Sequence, residues 1–168
     1  MEKKKRIVTR LGDIFCVEID HQYKAYFQYI AKDWEMLNST VIRSFKRRYP
    51  IDYNPTMDEI VNDEVSFYGH TILRAGLLYD AWYKVGTSKN LGDTENIKFR
   101  YTPETPPHIH GSTKSYKWYI WTINQPQQFV GEMTDEYRTY DWGVVLSFEN
   151  LVTKIKTGKY WYTYGIME

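Results

Sequence analysis

Alternation of apolar and polar side chains is the feature that most constrains what this chain can fold into. In the stretch IFCVEID, residues 14–20, the positions of one face are Phe15, Val17 and Ile19, and those of the other are Cys16, Glu18 and Asp20; the aromatic-rich stretch YKAYFQYIA, residues 23–31, follows closely. Successive side chains of a strand point to opposite faces, so these stretches predict two successive strands. The residues between them, His21 and Gln22, predict a short hairpin turn.

Several later stretches also have the composition of strands. The stretch 39–49 fits either a strand or a helix; the consecutive β-branched residues Thr40, Val41 and Ile42 favour the strand. YKWYIWTIN is apolar on both faces, which is typical of a central strand. The predicted strands after the first two are residues 39–49, 66–76, 81–86 and 116–124, a short strand before Ser147, and a closing strand, YWYTY, at 160–164.

Two short helices have clear start and stop signals. Thr56 and Glu59 form a capping-box pattern, which predicts a helix that ends near Val65. Ser147 is a candidate N-cap and Gly158 a C-terminal stop, which predicts a helix over 147–157. The chain is therefore expected to be a single α+β domain over residues 1–168, strand-dominated, with a curved antiparallel sheet. A proline-rich loop at 103–111 is the candidate linker.

Composition and charge exclude several classes of protein. The 168 residues are 42% hydrophobic and 26% charged, which suits a folded domain with a core. Lys and Arg number 22 and Asp and Glu 21, so the chain lacks the basic field that nucleic-acid binding usually needs, and a nucleic-acid partner is not expected. One basic cluster, Arg43, Lys46, Arg47 and Arg48, could contact RNA or could pair with the acids of residues 58–64.

No stretch approaches the ~18 apolar residues of a membrane span, and the basic N-terminus lacks the apolar run of a secretory signal. The single Cys16 excludes an internal disulfide. These features predict a cytoplasmic protein without a membrane partner.

Candidate chemistry is sparse. His108 and His110 in PPHIHG could face one metal ion, but a zinc site needs three or four ligands, and neither a H-E-x-x-H nor a C-x-x-C pattern is present. Cys16 sits among aliphatic residues, as buried structural cysteines do. The chain also lacks a G-x-S-x-G elbow and a phosphate-binding loop. We therefore expect no catalytic activity, no cofactor and no bound metal.

The aromatic content favours either strands or a binding surface, with 16 Tyr and 6 Trp in the chain. Trp118, Tyr119 or Trp121 could form a stacking platform for a carbohydrate, although burial in the core is the simpler outcome. TDEYRTYDW, residues 134–142, interleaves aromatic and charged residues and is expected to be a surface loop. The predicted partner-binding residues are Asp135, Glu136, Tyr137, Arg138, Tyr140 and Asp141; alternatively, the tyrosines pack on a sheet edge and the acids are solvated.

Two segments resemble the immunity protein 26 family. RLGDIFCVEIDHQYKAYFQYI resembles that family's opening, a Gly-Asp-Ile-Phe turn into a strand, and WGVVLSFENLVTKIKTGKY is similar to its closing strand and helix. Gly12-Asp13 is also similar to the start of SH3-like barrels. One alternative is therefore that the sheet curves into an SH3-like barrel core. The resemblance implies a non-enzymatic bacterial protein of a polymorphic toxin system, which binds a cognate protein toxin encoded nearby and neutralises it by occlusion. A small β-rich module that binds carbohydrate or RNA is the alternative function.

The two loop histidines generate the first prediction. The purified protein should contain no stoichiometric zinc by elemental analysis. Replacing His108 and His110 together with Ala should change the free energy of unfolding by no more than ~0.5 kcal/mol, as is usual for exposed positions. A metal that copurifies with the wild type and is lost in the double variant would contradict this.

Overall fold

The computed structural model describes residues 6–104 and 114–160. Across these residues the chain is strand-dominated and α+β, as predicted, but it has four short helices rather than two. The strands are β1 (Asp13–Ile19), β2 (Tyr23–Asp33), β3 (Ser39–Phe45), β4 (Tyr49–Pro50), β5 (Val65–Thr71), β6 (Tyr83–Thr87), β7 (Lys98–Tyr101), β8 (Trp118–Thr122), β9 (Gln128–Gly131), β10 (Asp141–Trp142) and β11 (Val145–Leu146). The helices are α1 (Met57–Val61), α2 (Leu73–Leu78), α3 (Asp135–Arg138) and α4 (Phe148–Thr157). Residues 161–164 of the predicted closing strand lie outside the described residues.

The first sheet is built on the predicted β1–β2 hairpin. Its strand order is β11-β5-β3-β2-β1-β6, with β4 beside β2, and its pairs are antiparallel except for β11 with β5. The hairpin turn lies at Asp20 and His21, one residue earlier than predicted, with φ angles of 53° and 55°. Gln22 N–H donates to the Ile19 carbonyl at 3.0 Å, which closes the turn. Two positive φ angles match the twist of the flanking strands.

The predicted strand at 66–76 is wrong in its second half. β5 ends at Thr71 and the chain turns into α2, whose Leu73 and Gly76 are buried. Gly76 packs directly on the Trp82 ring, where any Cβ would clash. The Trp82 indole N–H also donates to the Leu73 carbonyl at 3.1 Å. Docking against Trp82 therefore overrides a local sequence that favours continued strand.

A second, smaller sheet has the order β10-β7-β8-β9, with β10 parallel to β7. A buried cluster joins it to the first sheet, with Ile30 and Val41 from the first and Phe99 and Trp121 from the second. The prediction of one antiparallel sheet is therefore wrong, since the described strands form two mixed sheets. Neither sheet closes on itself among these strands, so the SH3-like barrel is not confirmed. β8 lies inside its sheet, as its two apolar faces predict.

The two predicted helices are confirmed. Thr56 Oγ1 accepts from Glu59 N–H at 3.2 Å, and Glu59 accepts from Thr56 N–H at 2.9 Å, which completes the capping box of α1. This helix ends at Val61, four residues before the predicted end. α4 begins after Ser147 and ends at Gly158, whose φ is 73°. Within residues 6–104 and 114–160, no helix has the length and apolar character needed to cross a membrane.

The carboxylate of Asp33 holds the two sheets together. Its Oδ2 accepts from His70 Nε2 and Trp121 Nε1, both at 3.0 Å. Its Oδ1 accepts from the backbone N–H groups of Met36 at 3.2 Å and Asn124 at 3.1 Å. Asp33 and His70 are fully buried. Burial by itself raises the pKa of Asp33, but these hydrogen bonds, led by that of His70, outweigh it and lower the pKa.

Asp33→Ala should lower the free energy of unfolding by about 3 kcal/mol or more, because it leaves several buried donors without an acceptor. Asp52→Ala, at an exposed position, is the matched control and should cost no more than ~0.5 kcal/mol. Chemical denaturation of the three proteins measures the difference.

The same carboxylate predicts an acid-dependent contribution to stability. A lowered folded-state pKa stabilises the protein above the ordinary aspartate pKa of roughly 4, and this stability is lost as pH falls through the lowered value. The difference in free energy of unfolding between wild type and Asp33→Ala should therefore become smaller in acid. If that difference in free energy stays constant until the proteins unfold in acid, the prediction is contradicted.

Candidate functional site

The segment 134–142, singled out by its aromatic and charged residues, forms a helical turn and a short strand. The Thr134 hydroxyl accepts from Tyr137 N–H at 3.3 Å, and this cap starts the single turn of α3. The chain then enters β10 at Asp141, which pairs with Phe99 of β7. The expectation of a surface loop is therefore wrong for this segment, although its side chains remain largely at the surface.

Five of the six predicted partner-binding residues come together here. Arg138 and Asp135 form an ion pair at 2.5 Å, and the Tyr140 hydroxyl donates to Glu136 at 3.1 Å. The rings of Tyr137 and Tyr140 lie 5.6 Å apart. The tyrosines are half-buried and the three charged residues exposed. The result is a small surface with an aromatic centre and a charged rim, and we name these five residues the α3 surface.

Asp141 is separated from this group. Its carboxylate points inward and accepts from Tyr68 N–H of β5 at 2.9 Å, which ties the second sheet to the first. Burial raises the pKa of Asp141 to about 6, although the bond from Tyr68 and the charges of Lys154 and Arg100 act in the opposite direction. The structure thus gives Asp141 a structural contact in place of a surface position.

A pocket of about 310 Å³ adjoins the α3 surface. Tyr140 forms one side, β7 and β8 form the floor, and the β8–β9 turn with Gln125 and Pro126 forms the other side. The Lys98 ammonium lies 5.5 Å from the centre of the Tyr140 ring. Lys98 and this turn meet Tyr140 only through sheet pairing, so no local sequence pattern pointed to them.

The basic cluster is dispersed into separate contacts. Buried Arg43 donates to Gln28 at 3.0 Å, and Lys46 pairs with Glu64 at 2.6 Å. Arg48 donates to the Ile155 carbonyl at 3.0 Å near the end of α4. The interpretation that these residues pair with the downstream acids is confirmed for Lys46. Arg43 and Arg48 have structural roles that the sequence did not reveal.

Most of the other residues considered for binding or catalysis are buried. Trp118 and Trp121 are buried on opposite faces of β8 and so offer no stacking platform. Tyr119 is half-buried, and its ring meets that of Phe129 edge-on with the ring centres 5.3 Å apart. Cys16 is buried as predicted, and burial raises the pKa of its thiol. His108 and His110 lie outside the described residues. In the part of the chain that the structure does describe, no three His, Cys, Asp or Glu side chains are grouped as metal ligands.

The Gly-Asp pair at the start of β1 joins that strand to its neighbours. Gly12 has φ 95°, and a Cβ there would lie 2.6 Å from the Ser88 carbonyl oxygen. Asp13 accepts from Arg10 N–H at 2.8 Å and pairs with Lys84 of β6 at 2.8 Å. The positive φ favours glycine, and the carboxylate anchors β6, so this turn shapes the edge of the first sheet.

The inward carboxylate of Asp141 generates a prediction for pH dependence. Because its pKa is raised in the folded protein to about 6, its contribution to stability is complete below the ordinary value of roughly 4 and is lost as pH rises through 6. Relative to Asp141→Asn, which does not titrate, wild type should lose free energy of unfolding between these two pH values. Denaturant titrations at several pH values in this range measure the free energy of unfolding of both proteins. If the two free energies change in parallel with pH, the raised pKa of Asp141 is contradicted.

Comparison with known proteins supplies the family. A search of curated proteins and a search of solved structures found no significant match. A family model for immunity protein 26 matches residues 10–104, which is more than half of the 168 residues. The match begins at the opening motif and covers β1 to β7, and it ends before the α3 surface and the closing segment at 142–160. The chain belongs to the immunity protein 26 family.

Proposed function

We propose that this protein binds a cognate bacterial protein toxin in the cytoplasm and neutralises it by covering the toxin's functional surface. Membership of the immunity protein 26 family is the observation that carries the proposal. Steric occlusion requires a stable complementary surface and no chemistry by the immunity protein itself. No catalytic role is therefore assigned to any residue of this chain.

The α3 surface is the proposed centre of the interface. Tyr137 and Tyr140 present stiff aromatic rings that lose little side-chain entropy on binding. Asp135 and Glu136 outnumber Arg138, so the rim carries a net negative charge, which suits a basic partner such as a nuclease. Such an arrangement, with aromatic anchors surrounded by polar groups, is typical of binding hot spots.

The position of the α3 surface in the chain also supports this choice. It lies beyond residues 10–104, the region that the family model matches. Immunity proteins that share a scaffold must still distinguish their own toxins, and specificity needs residues that differ between partners. A surface outside the shared region can supply such residues without altering the first sheet.

The test is co-expression with the toxin encoded beside this gene, together with binding measurements on an inactive toxin variant. Tyr137→Ala and Tyr140→Ala should each weaken binding by about 2 kcal/mol, a typical hot-spot cost. The wild type should protect the cell, and the double variant should not. The fold should survive both changes, because the two rings are only half-buried.

Tyr53→Ala is the matched control. Tyr53 is a 43% exposed tyrosine beside α1, away from the α3 surface. It should bind and protect like the wild type. Full protection by the Tyr137/Tyr140 double variant would remove the α3 surface from the interface, and failure of the wild type to bind the adjacent toxin would remove the proposed function.

A further inference from the structure

A second concavity lies on the other side of the β8–β9 turn. It has a volume of about 340 Å³ and opens between the second sheet and the tip of the β2–β3 hairpin. We call it the apolar cleft. It is lined mainly by Met36, Leu37, Tyr101, Trp121, Val144 and Val145.

The cleft is chemically distinct from the rest of the surface. Its lining among the described residues includes no carboxylate, ammonium, guanidinium or imidazole group, although 26% of the chain is charged. Leu37 and Val145 are each 40% exposed at this site. Charge complementarity therefore calls for an uncharged, apolar group from the partner.

The backbone at Leu37 is held in an unfavourable conformation. Leu37 has φ 63°, in the left-handed region, where glycine or asparagine would be relaxed and a bulky side chain is strained. The local fold would be easier to form with a polar residue there. The left-handed conformation continues at Asn38, with φ 43°, so the hairpin turn itself holds the Leu37 side chain at the cleft.

The cleft is continuous with the proposed interface. Gln127 of the β8–β9 turn lines the cleft, whereas its neighbours Gln125 and Pro126 line the pocket beside Tyr140. The two concavities thus flank one turn. A stable interface buries roughly 800 Å² on each partner, more than the single turn of α3 can supply. A partner seated on the α3 surface must therefore extend over neighbouring surface, and this turn leads to the cleft.

We infer that the apolar cleft receives a large apolar side chain of the toxin and is the hydrophobic anchor of the complex. This inference rests on the proposed function. The toxin then contacts both sides of the turn at 124–128, through polar groups near Tyr140 and apolar groups near Leu37 and Val145.

Leu37→Asn separates binding from folding. Asparagine tolerates the left-handed conformation, so the unfolding midpoint should stay the same or rise. The dissociation constant for the purified inactive toxin should rise about tenfold or more, as expected when an anchor contact is lost. Val145→Asn, on the opposite wall, should weaken binding in the same direction.

Two controls complete the experiment. Leu37→Met keeps an apolar side chain and should bind within about threefold of wild type. Leu78→Asn changes an exposed apolar residue of α2, outside the cleft, and should bind like the wild type. If Leu37→Asn and Val145→Asn both bind as tightly as wild type, the inference is overturned while the proposed function stands. If the wild type itself does not bind the toxin, both fail.

Discussion

The buried carboxylate of Asp33 is the interaction on which the arrangement of the whole molecule depends. It lies at the end of β2 in the first sheet and accepts hydrogen bonds from Trp121 and Asn124 of the second sheet region. A buried charge is costly unless every lone pair is satisfied, and here four donors satisfy it. Since these donors come from both sheets, only one relative placement of the sheets avoids leaving the charge unpaired.

The residues that bond to Asp33 also position the proposed interface. Trp121 forms part of the lining of both concavities, and Asn124 begins the turn that separates them. The Asn124 side chain also accepts from Trp34 N–H at 2.7 Å, which fixes the hairpin tip that carries Leu37. The surface that we propose for the toxin is therefore supported by a rigid polar junction. Rigid support lowers the entropic cost of binding.

The family match covers one part of the chain and leaves the rest unmatched. The region that the family model matches contains most of the first sheet and the first strand of the second. The segment from β8 to α4 completes the second sheet and carries the α3 surface and much of the apolar cleft. Its α4 covers the first sheet with buried Leu151 and Ile155. The segment from β8 to α4 thus packs on the matched region, while the α3 surface faces outward.

Local patterns in the sequence were enough for the elements whose stability is local. Alternation identified β1, aromatic content identified β2 and two apolar faces identified β8. The capping residues Thr56 and Ser147 identified both predicted helices, because each cap bonds to a residue three positions on. The opening motif was enough to suggest the family. The grouping of Tyr137, Tyr140 and their charged neighbours also followed from proximity in the chain, although their role in binding stays a prediction.

Tertiary structure decided whatever depends on partners distant in sequence. Residues 73–76, predicted as the end of a strand, lie in α2 because Gly76 packs on the Trp82 ring. The split into two sheets depends on donors for Asp33 that lie up to 91 residues away. Asp141 and Tyr140 are adjacent in the chain, yet one bonds inward to Tyr68 and the other lines a surface pocket. The physical reason is that the burial of a polar or aromatic side chain is determined by which distant groups can satisfy it, and a local pattern does not contain that information.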